Sequence, residues 1–554
     1  MIALTIIFAL IVTVTWGTMQ MVQSYQIDNP IQISLDPIYL PLYAIRTTLR
    51  LIIALFFSLV FTFIFGTLAA KNKHAESIII PIIDILQSVP VLSFLSITVT
   101  GFISLFKNNM LGPECAAIFG IFTSQVWNIT LSFYLGVKTV PQELKEVSRM
   151  FHLSSWECFW KIEVPFSAPK LLWNIIISMS NSWFFVIACE AFSVAGYNIT
   201  LPGIGSYISL AITQANNKAI IYAIICMLLV IFLYNQLLFQ PMLYWVNKFK
   251  KYNEDEKEQK KPILINLLQK TKWLRQSLNW INNLGYFWMK LNFISSVNNN
   301  DNSKYKSFKT GVLIYYLALL VILILSLYII CKFIFFNVII SEIKYVIVLG
   351  IYTTLRVMIA VFLSSIIWVP IGVFIGLKPR LSSYIQSIIQ FVIAFPVNLF
   401  FPIITVFIIK YKLNIELWAA PLMVLGTQWY ILFNVIVGAG SISRELKLAA
   451  INFKVKGILW WKRVVFPAIA PDFITGAIAS AGGAWNVSII AETLTWGNYK
   501  INATGLGHYI QLNFVKGNFV KTTLGTMIMC IIVFLINRIF WKPLYNMVTK
   551  NYLE

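Results

Sequence analysis

A chain of 554 residues that is 58% hydrophobic and only 12% charged, with mean hydropathy +0.77, is not an ordinary soluble protein, in which about a quarter of residues are charged. The net charge of +22 suggests a nucleic-acid surface only until its placement is read. Lys and Arg gather in alternate loops between apolar stretches, as positive-inside membrane topology requires.

In chain order, apolar runs predict membrane helices near 2–22, 48–70, 78–106, 115–136, 168–195 and 219–245, then 311–338, 347–377, 382–409, 415–438, 470–494 and 521–545. Each is long enough for a hydrocarbon core of roughly 30 Å. The first run lacks a basic leader and exceeds the apolar stretch of a signal peptide, so it reads as a spanning helix. The base-rich loops hold Lys71 and Lys73; Lys138, Lys145, Arg149 and Lys161; Lys248, Lys250 and Lys251; Lys378 and Arg380; Arg444, Lys447, Lys454, Lys456, Lys462 and Arg463; Arg538 and Lys542. The intervening loops carry scattered Lys offset by Asp28, Asp36, Glu114, Glu342 and Glu416. This pattern puts both termini in the cytoplasm.

Between the two sets lies a cytoplasmic linker, 247–310. It opens on the mixed-charge run Lys248 to Lys261 and closes on a polar stretch from Asn298 to Ser303. In between, Ile263, Leu267, Leu268, Trp273, Leu274, Leu278, Trp280, Ile281 and Leu284 alternate with Lys270, Lys272 and Arg275. That pattern fits an amphipathic helix in the membrane interface, or one packed on cytoplasmic protein.

The flanking segments, 1–246 and 311–554, are copies of each other. Thr47-Thr48-Leu49-Arg50 returns as Thr353-Thr354-Leu355-Arg356, and Pro90 as Pro396, at an offset of 306 (Thr47 to Thr353). From Trp127/Trp429 onward the offset is 302 and holds through Gly136/Gly438, Glu143/Glu445, Phe151/Phe453, Pro165/Pro467, Trp183/Trp485, Glu190/Glu492, Gly203/Gly505 and Gly205/Gly507. Solenoid units run to about 20–50 residues, so this period marks a duplicated domain. Six helices is an even number, so the halves are parallel repeats related by an axis along the membrane normal. The expected fold is an all-α integral membrane protein of about twelve transmembrane helices in two six-helix repeats.

Catalytic signatures are absent. No phosphate-binding G-x-x-x-x-G-K-[ST] loop, nucleophile elbow or H-E-x-x-H occurs, and the three histidines (His74, His152, His508) are isolated. The six cysteines (Cys115, Cys158, Cys189, Cys226, Cys331, Cys530) lack metal or disulfide spacing. No catalytic residue, metal site or cofactor of its own is expected.

The loop after the fourth helix of each half carries the most information. It reads Glu143-Leu-Lys-Glu146-Val-Ser-Arg-Met-Phe151-His152, nine residues, Ile162-Glu-Val-Pro165, and again Glu445-Leu-Lys-Leu448-Ala449-Ala450-Ile-Asn-Phe453-Lys454, nine residues, Val464-Val-Phe-Pro467. Each predicts a short helix, a turn, a second amphipathic helix before the proline, and that proline opening the next spanning helix at its permissive first turn. A cytoplasmic element of this kind, present twice, suits docking to two identical partners.

These loops resemble the E-A-A-x-x-x-G-x9-I-x-L-P signature of the inner-membrane permeases of binding-protein-dependent ABC importers. The later W-x6-E and G-x-G elements (Trp183, Glu190, Gly203, Gly205; Trp485, Glu492, Gly505, Gly507) resemble the nitrate/sulfonate/taurine/bicarbonate branch. The resemblance implies the type I importer permease fold and an anion as cargo. It implies two cytoplasmic ATPase subunits that bind the ATP and Mg, gripping Glu146 to Trp156 and Leu448 to Leu459. It also implies an extracytoplasmic binding protein and a bacterial inner-membrane location. His152 and Lys454 stand where the family has glycine, so each is either helical or strained at positive φ.

Glu190 and Glu492 fall in the fifth helices, where a carboxylate must be partnered or face a cavity. An interhelical anchor bonded to a nearby Ser, Asn or Trp is the preferred reading, and a translocation-path residue the alternative. Asn181, Asn486 and Ser488, with Trp183 and Trp485, are candidate path residues because neutral donors suit an anion. Arg50 and Arg356 are expected to snorkel at the outer interface, with drawing anions towards the entrance as the alternative. A secondary transporter of two parallel repeats, coupled to protons through Glu190 and Glu492, is the rival reading.

Overall fold

A computed structural model of the chain describes residues 32–88, 98–99, 101–106, 109–194, 197–247, 339–378, 395, 397–440, 442 and 444–552, and the single positions 321, 324, 328, 332, 381 and 385. The expected first helix of the first half, all but four positions of that of the second, the amphipathic linker segment, Pro90 and Pro396 lie outside the described residues.

The first half contains α1 (Pro37–Lys71), α2 (Lys73–Ser88), α3 (Leu111–Lys138), the short α4 (Gln142–Met150) and α5 (Ser155–Glu190). A hairpin follows, β1 (Ala191–Val194) and β2 (Tyr197–Thr200), then α6 (Ile204–Thr213) and α7 (Asn217–Met242). The second half repeats the order: α8 (Ile340–Gly376), α9 (Phe401–Lys410), α10 (Ile415–Gly440), α11 (Arg444–Asn452) and α12 (Gly457–Ala491). It ends with β3 (Thr493–Trp496), β4 (Tyr499–Asn502), α13 (Leu506–Val515) and α14 (Phe519–Val548). Among the described residues, eight helices are long and apolar enough to cross a membrane, four in each half.

Burial sorts these spans into two layers. In α3 and α5, 67% and 69% of the most apolar window is buried, against 28% in both α1 and α7. The inner pair forms the core of the half, and the outer pair faces lipid. Ile52, Phe56 and Phe57 on α1, Ile225, Leu229 and Phe232 on α7, and Phe362 and Ile366 on α8 are all exposed. Such a surface is unsuited to water and suited to acyl chains. Hydroxyls in these helices turn back onto their own backbone: Thr48 donates to the Ala44 carbonyl at 2.7 Å and Ser58 to that of Ala54 at 2.8 Å. That satisfies polar groups where no water is present. Small residues set the close helix contacts, and a Cβ added at Gly136 would crowd Ser167 across α3 and α5.

Two expectations are corrected. The segment around Trp156 is not a separate amphipathic helix: α5 begins at Ser155, closed by a reciprocal cap in which Ser154 and Glu157 satisfy each other's backbone N–H. The chain then runs through a π turn, Phe159–Glu163, directly into the spanning helix, so Pro165 lies inside α5. A proline there has no N–H for the Lys161 carbonyl, and the wider turn accommodates the missing bond. The second half does the same at Trp461–Val465, before Pro467. The second correction is that β1 and the start of β3 stand where the fifth helices (168–195 and 470–494) were expected to continue, and that the rest of the hairpins, with α6 and α13, occupies segments read as loops. Four-residue strands and ten-residue helices fall below the length at which periodicity speaks.

The halves pack against each other. Trp173 of α5 lies 5.7 Å, centroid to centroid, from Phe433 of α10, and the backbone N–H of Gly497, in the second hairpin, donates to the Ile212 carbonyl of α6 at 2.9 Å.

Candidate functional site

Two groups of residues, at opposite ends of the inner helices, account for nearly every repeated motif. The first is the loop between α3 and α5, with its counterpart between α10 and α12. Glu143, Glu146, Phe151 and His152 are exposed, as are Glu445, Phe453 and Lys454. Phe151 and Phe453 are 74% and 82% exposed. Trp156, Ile162, Pro165, Ala449 and Pro467 are half-buried, and Ala450 and Val464 are buried where the loop meets the bundle. His152 has φ 48° and Lys454 φ 52°. The turn therefore keeps the left-handed conformation that favours glycine, with a side chain in its place.

The second group binds the far ends of α1, α3, α5 and α6. Arg50 and Thr47, three apart, share one face of α1. Arg50 is fully buried. Its Nε and Nη2 donate to the two oxygens of Glu114 at 2.5 and 2.7 Å, its Nη1 to Glu190 at 2.6 Å, and Nη2 also reaches the Pro202 carbonyl at 3.1 Å. Glu190 accepts in addition from Thr47 Oγ1 at 2.7 Å and from the Gly205 N–H at 2.7 Å. Thr47 in turn accepts from the Ile204 N–H at 3.0 Å. The carboxylate thus sits on the N-terminus of α6, where the helix dipole favours negative charge.

The second half repeats this arrangement. Arg356 donates to Glu492 at 2.9 Å and to the Thr504 carbonyl at 2.9 Å, and pairs with Glu416. Thr353 donates to Glu492 at 2.9 Å and accepts from the Leu506 N–H at 2.8 Å, and the Gly507 N–H donates to Glu492 at 2.8 Å. The copies differ in one cation. Arg46 joins the first cluster, 3.3 Å from Glu114, while its counterpart Tyr352 faces outward, 48% exposed.

The spacing from glutamate to G-x-G follows from this geometry. Gly203 and Gly505 are extended (φ −178° and −169°), so torsional freedom is not the reason for glycine. A Cβ there would overlap the Glu190 or Glu492 carboxylate, and one at Gly205 would strike the Ile187 backbone. Burying an ion pair costs several kcal/mol per ion in desolvation unless hydrogen bonds complete it, and the glycines admit the N–H groups that do so.

Several expectations change. Arg50 and Arg356 do not snorkel: carboxylates from two other helices lie within reach and make the interior the better solvent. Glu190 and Glu492 are interhelical anchors as preferred, but their partners are Arg, Thr and backbone N–H rather than Ser, Asn or Trp. Trp183 and Trp485 are packed in the core, 1% and 2% exposed. Ser488 is buried and donates to the Trp485 carbonyl at 2.7 Å, and Asn486 donates to that of Gly482 at 3.2 Å. The Asn181 side chain lies outside the described residues. Glu114 and Glu416, read from sequence only as loop acids, complete the clusters; their separation of 302 (Glu114 to Glu416), shared with the neighbouring motifs, is the signal that marks them.

Comparison with known proteins accords with these repeats. The family model described as binding-protein-dependent transport system inner membrane component matches twice, over residues 62–240 and 368–542. The chain is 31% identical over 157 residues to the nitrate import permease protein NrtB of Leptolyngbya laminosa, covering 28% of this chain and 51% of that protein. It is 28% identical over 164 residues to NrtB of Synechocystis, covering 30% and 53%. It is also 28% identical over 160 residues to the bicarbonate transport system permease protein CmpB of Synechococcus elongatus, covering 29% and 53%. The chain thus spans about half the length of these curated relatives. With both of its halves matched, it belongs to the family of binding-protein-dependent transport system inner membrane components, and carries the family's domain in duplicate.

Proposed function

We propose that this chain is the transmembrane permease subunit of an ATP-driven importer for a small anion, with both permease domains (1–246 and 311–554) on one polypeptide and a cytoplasmic linker (247–310) between them. The observation that carries the reading is the paired, exposed loop after the fourth helix of each half, held to the same backbone conformation at His152 and Lys454 despite different side chains. In this reading α4 and α11 are the elements gripped by two cytoplasmic ATPase subunits. Those subunits bind the ATP and Mg, and this chain binds neither. Their closure rocks the halves between inward- and outward-facing states. The positive-inside pattern supports a bacterial inner-membrane location with both termini and the docking loops in the cytoplasm. An extracytoplasmic binding protein then meets the opposite end, where the hairpins lie.

The relatives named for nitrate and bicarbonate support an anionic cargo. Trp183, Trp485 and Ser488 are buried, so a path through them requires the inner helices to part. Glu190 and Glu492, which a proton-coupled transporter would need to load and unload, are committed to structural ion pairs.

Affinity purification from native membranes tests the reading. Recovery of a stoichiometric pair of ATPase subunits, with ATP-dependent anion uptake after reconstitution, is expected. Uptake driven by a proton gradient with no ATPase recovered would refute it.

A further inference from the structure

The two docking loops share a backbone but not a surface. Between 142 and 163 the first copy carries four acids and three bases, a net charge of −1; between 444 and 465 the second carries six bases and one acid, a net charge of +5. In the first copy several charges are spent internally: Lys161 pairs with Glu157 at 2.9 Å and Lys71 with Glu163 at 2.9 Å. In the second, Lys454, Lys456, Lys462 and Arg463 form no ion pair among the described residues.

The apolar content is also redistributed. At matched positions Glu146 becomes Leu448, Arg149 becomes Ile451, Trp156 becomes Ile458 and Glu157 becomes Leu459. The four second-copy residues are 50%, 69%, 86% and 53% exposed. With Phe453 they form an exposed apolar set, the ridge of this loop, interleaved in sequence with bases that form no ion pair among the described residues.

Resting on the importer reading above, we propose that the two halves hold their ATPase subunits by different chemistry and with unequal strength. The second half seats its ridge in an apolar groove whose rim is acidic, a fit argued from the charge it must neutralise. Burial of the ridge makes this the long-lived contact. The first half, mixed in charge and exposing four large apolar side chains (Leu144, Val147, Met150, Phe151) against six in the second (Leu446, Leu448, Ile451, Phe453, Ile458, Leu459), makes the contact that releases first. The pseudo-symmetric chain is thereby a polarised one, with one ATPase held fast and the other exchangeable.

The test uses the full chain with its ATPase subunits in lipid nanodiscs without nucleotide, counted by native mass spectrometry during dilution. Wild type is expected to pass through a species retaining one ATPase. The exchange Leu448→Glu with Ile451→Arg should abolish that species and weaken retention about tenfold or more, as loss of a central apolar anchor does. The reverse exchange, Glu146→Leu with Arg149→Ile, should hold both ATPases to greater dilution. All four positions are exposed, so folding is unaffected, and thermal unfolding of each variant verifies this. Simultaneous loss of both ATPases from wild type, or equal effects of the two exchanges, overturns the inequality while leaving the importer reading intact. Failure of wild type to retain any ATPase overturns both.

Discussion

Arg50→Met isolates what the buried cluster contributes. Arg50 is fully buried beside carboxylates that are 1% and 0% exposed. Its removal takes away two bonds to Glu114, one to Glu190 and one to the Pro202 carbonyl. Glu114 keeps Arg46 nearby at 3.3 Å, but among the described residues Glu190 retains only the hydrogen bonds from Thr47 and the Gly205 N–H. It becomes a buried charge without a counterion, a situation that costs about 3–5 kcal/mol. Adding Glu190→Gln removes the orphaned charge while leaving an amide oxygen for the Gly205 N–H. The double variant is therefore expected to recover about half of the loss, roughly 2 kcal/mol, the coupling that contacting residues show in such cycles. Reversible unfolding in lipid nanodiscs, followed by circular dichroism, measures each variant. A loss below about 1 kcal/mol for Arg50→Met, the range of exposed pairs, or a double variant no more stable than the single, would refute the anchoring role.

Gly203→Ala and Gly505→Ala place a methyl into the Glu190 or Glu492 carboxylate, and a destabilisation of about 1–3 kcal/mol is expected from the overpacking; the same unfolding assay reads it, and a neutral result contradicts the geometry. His152→Gly and Lys454→Gly relieve side chains held at positive φ and should each raise stability by about 0.5–1 kcal/mol; loss of stability at both sites would show that the left-handed turn is misassigned. Lys138 and Tyr134 hold the Glu76 carboxyl below the usual carboxylate range, so its stabilising contact is present above the ordinary glutamate pKa and is lost as pH falls through the lowered one. Thermal unfolding of Glu76→Gln against wild type should show a gap that is constant from pH 7 to about 4.5 and closes only below it; a gap that closes nearer neutrality would contradict the pairing.

Much of this architecture was legible in the chain because membrane helices are long and their apolar runs unmistakable. Each of the eight spans described here overlaps a predicted segment, though α1, α5 and α12 begin well before the apolar runs at 48, 168 and 470. Polar residues at their entries, such as Ser154 and Glu157, hid those starts. The repeat located the chemistry as well: Thr47, Arg50, Glu190, Gly203 and Gly205 form one cluster, and their counterparts another. What could not be read was which residue completes a pair across the fold. Arg50 and Glu114 are joined only by how α1 packs on α3, and no local pattern carries that. The hairpins escaped for a related reason, since their strands stand on the Glu190 and Glu492 carbonyls, which bond the Leu201 and Ala503 N–H groups.

The π turns at Phe159–Glu163 and Trp461–Val465 set an angle as well as a shape. A helix advances about 100° per residue, and a π turn holds one residue more than an α turn. Deleting a single residue there would restore α geometry and swing α4, with Phe151, by roughly that angle about the axis of α5. The fixed interval from Phe151 to Pro165, the same as from Phe453 to Pro467, is therefore an aiming device. The loop's exposed side chains can diverge between the copies, as they have, while the direction in which each loop points stays fixed by one extra residue in the helix that carries it.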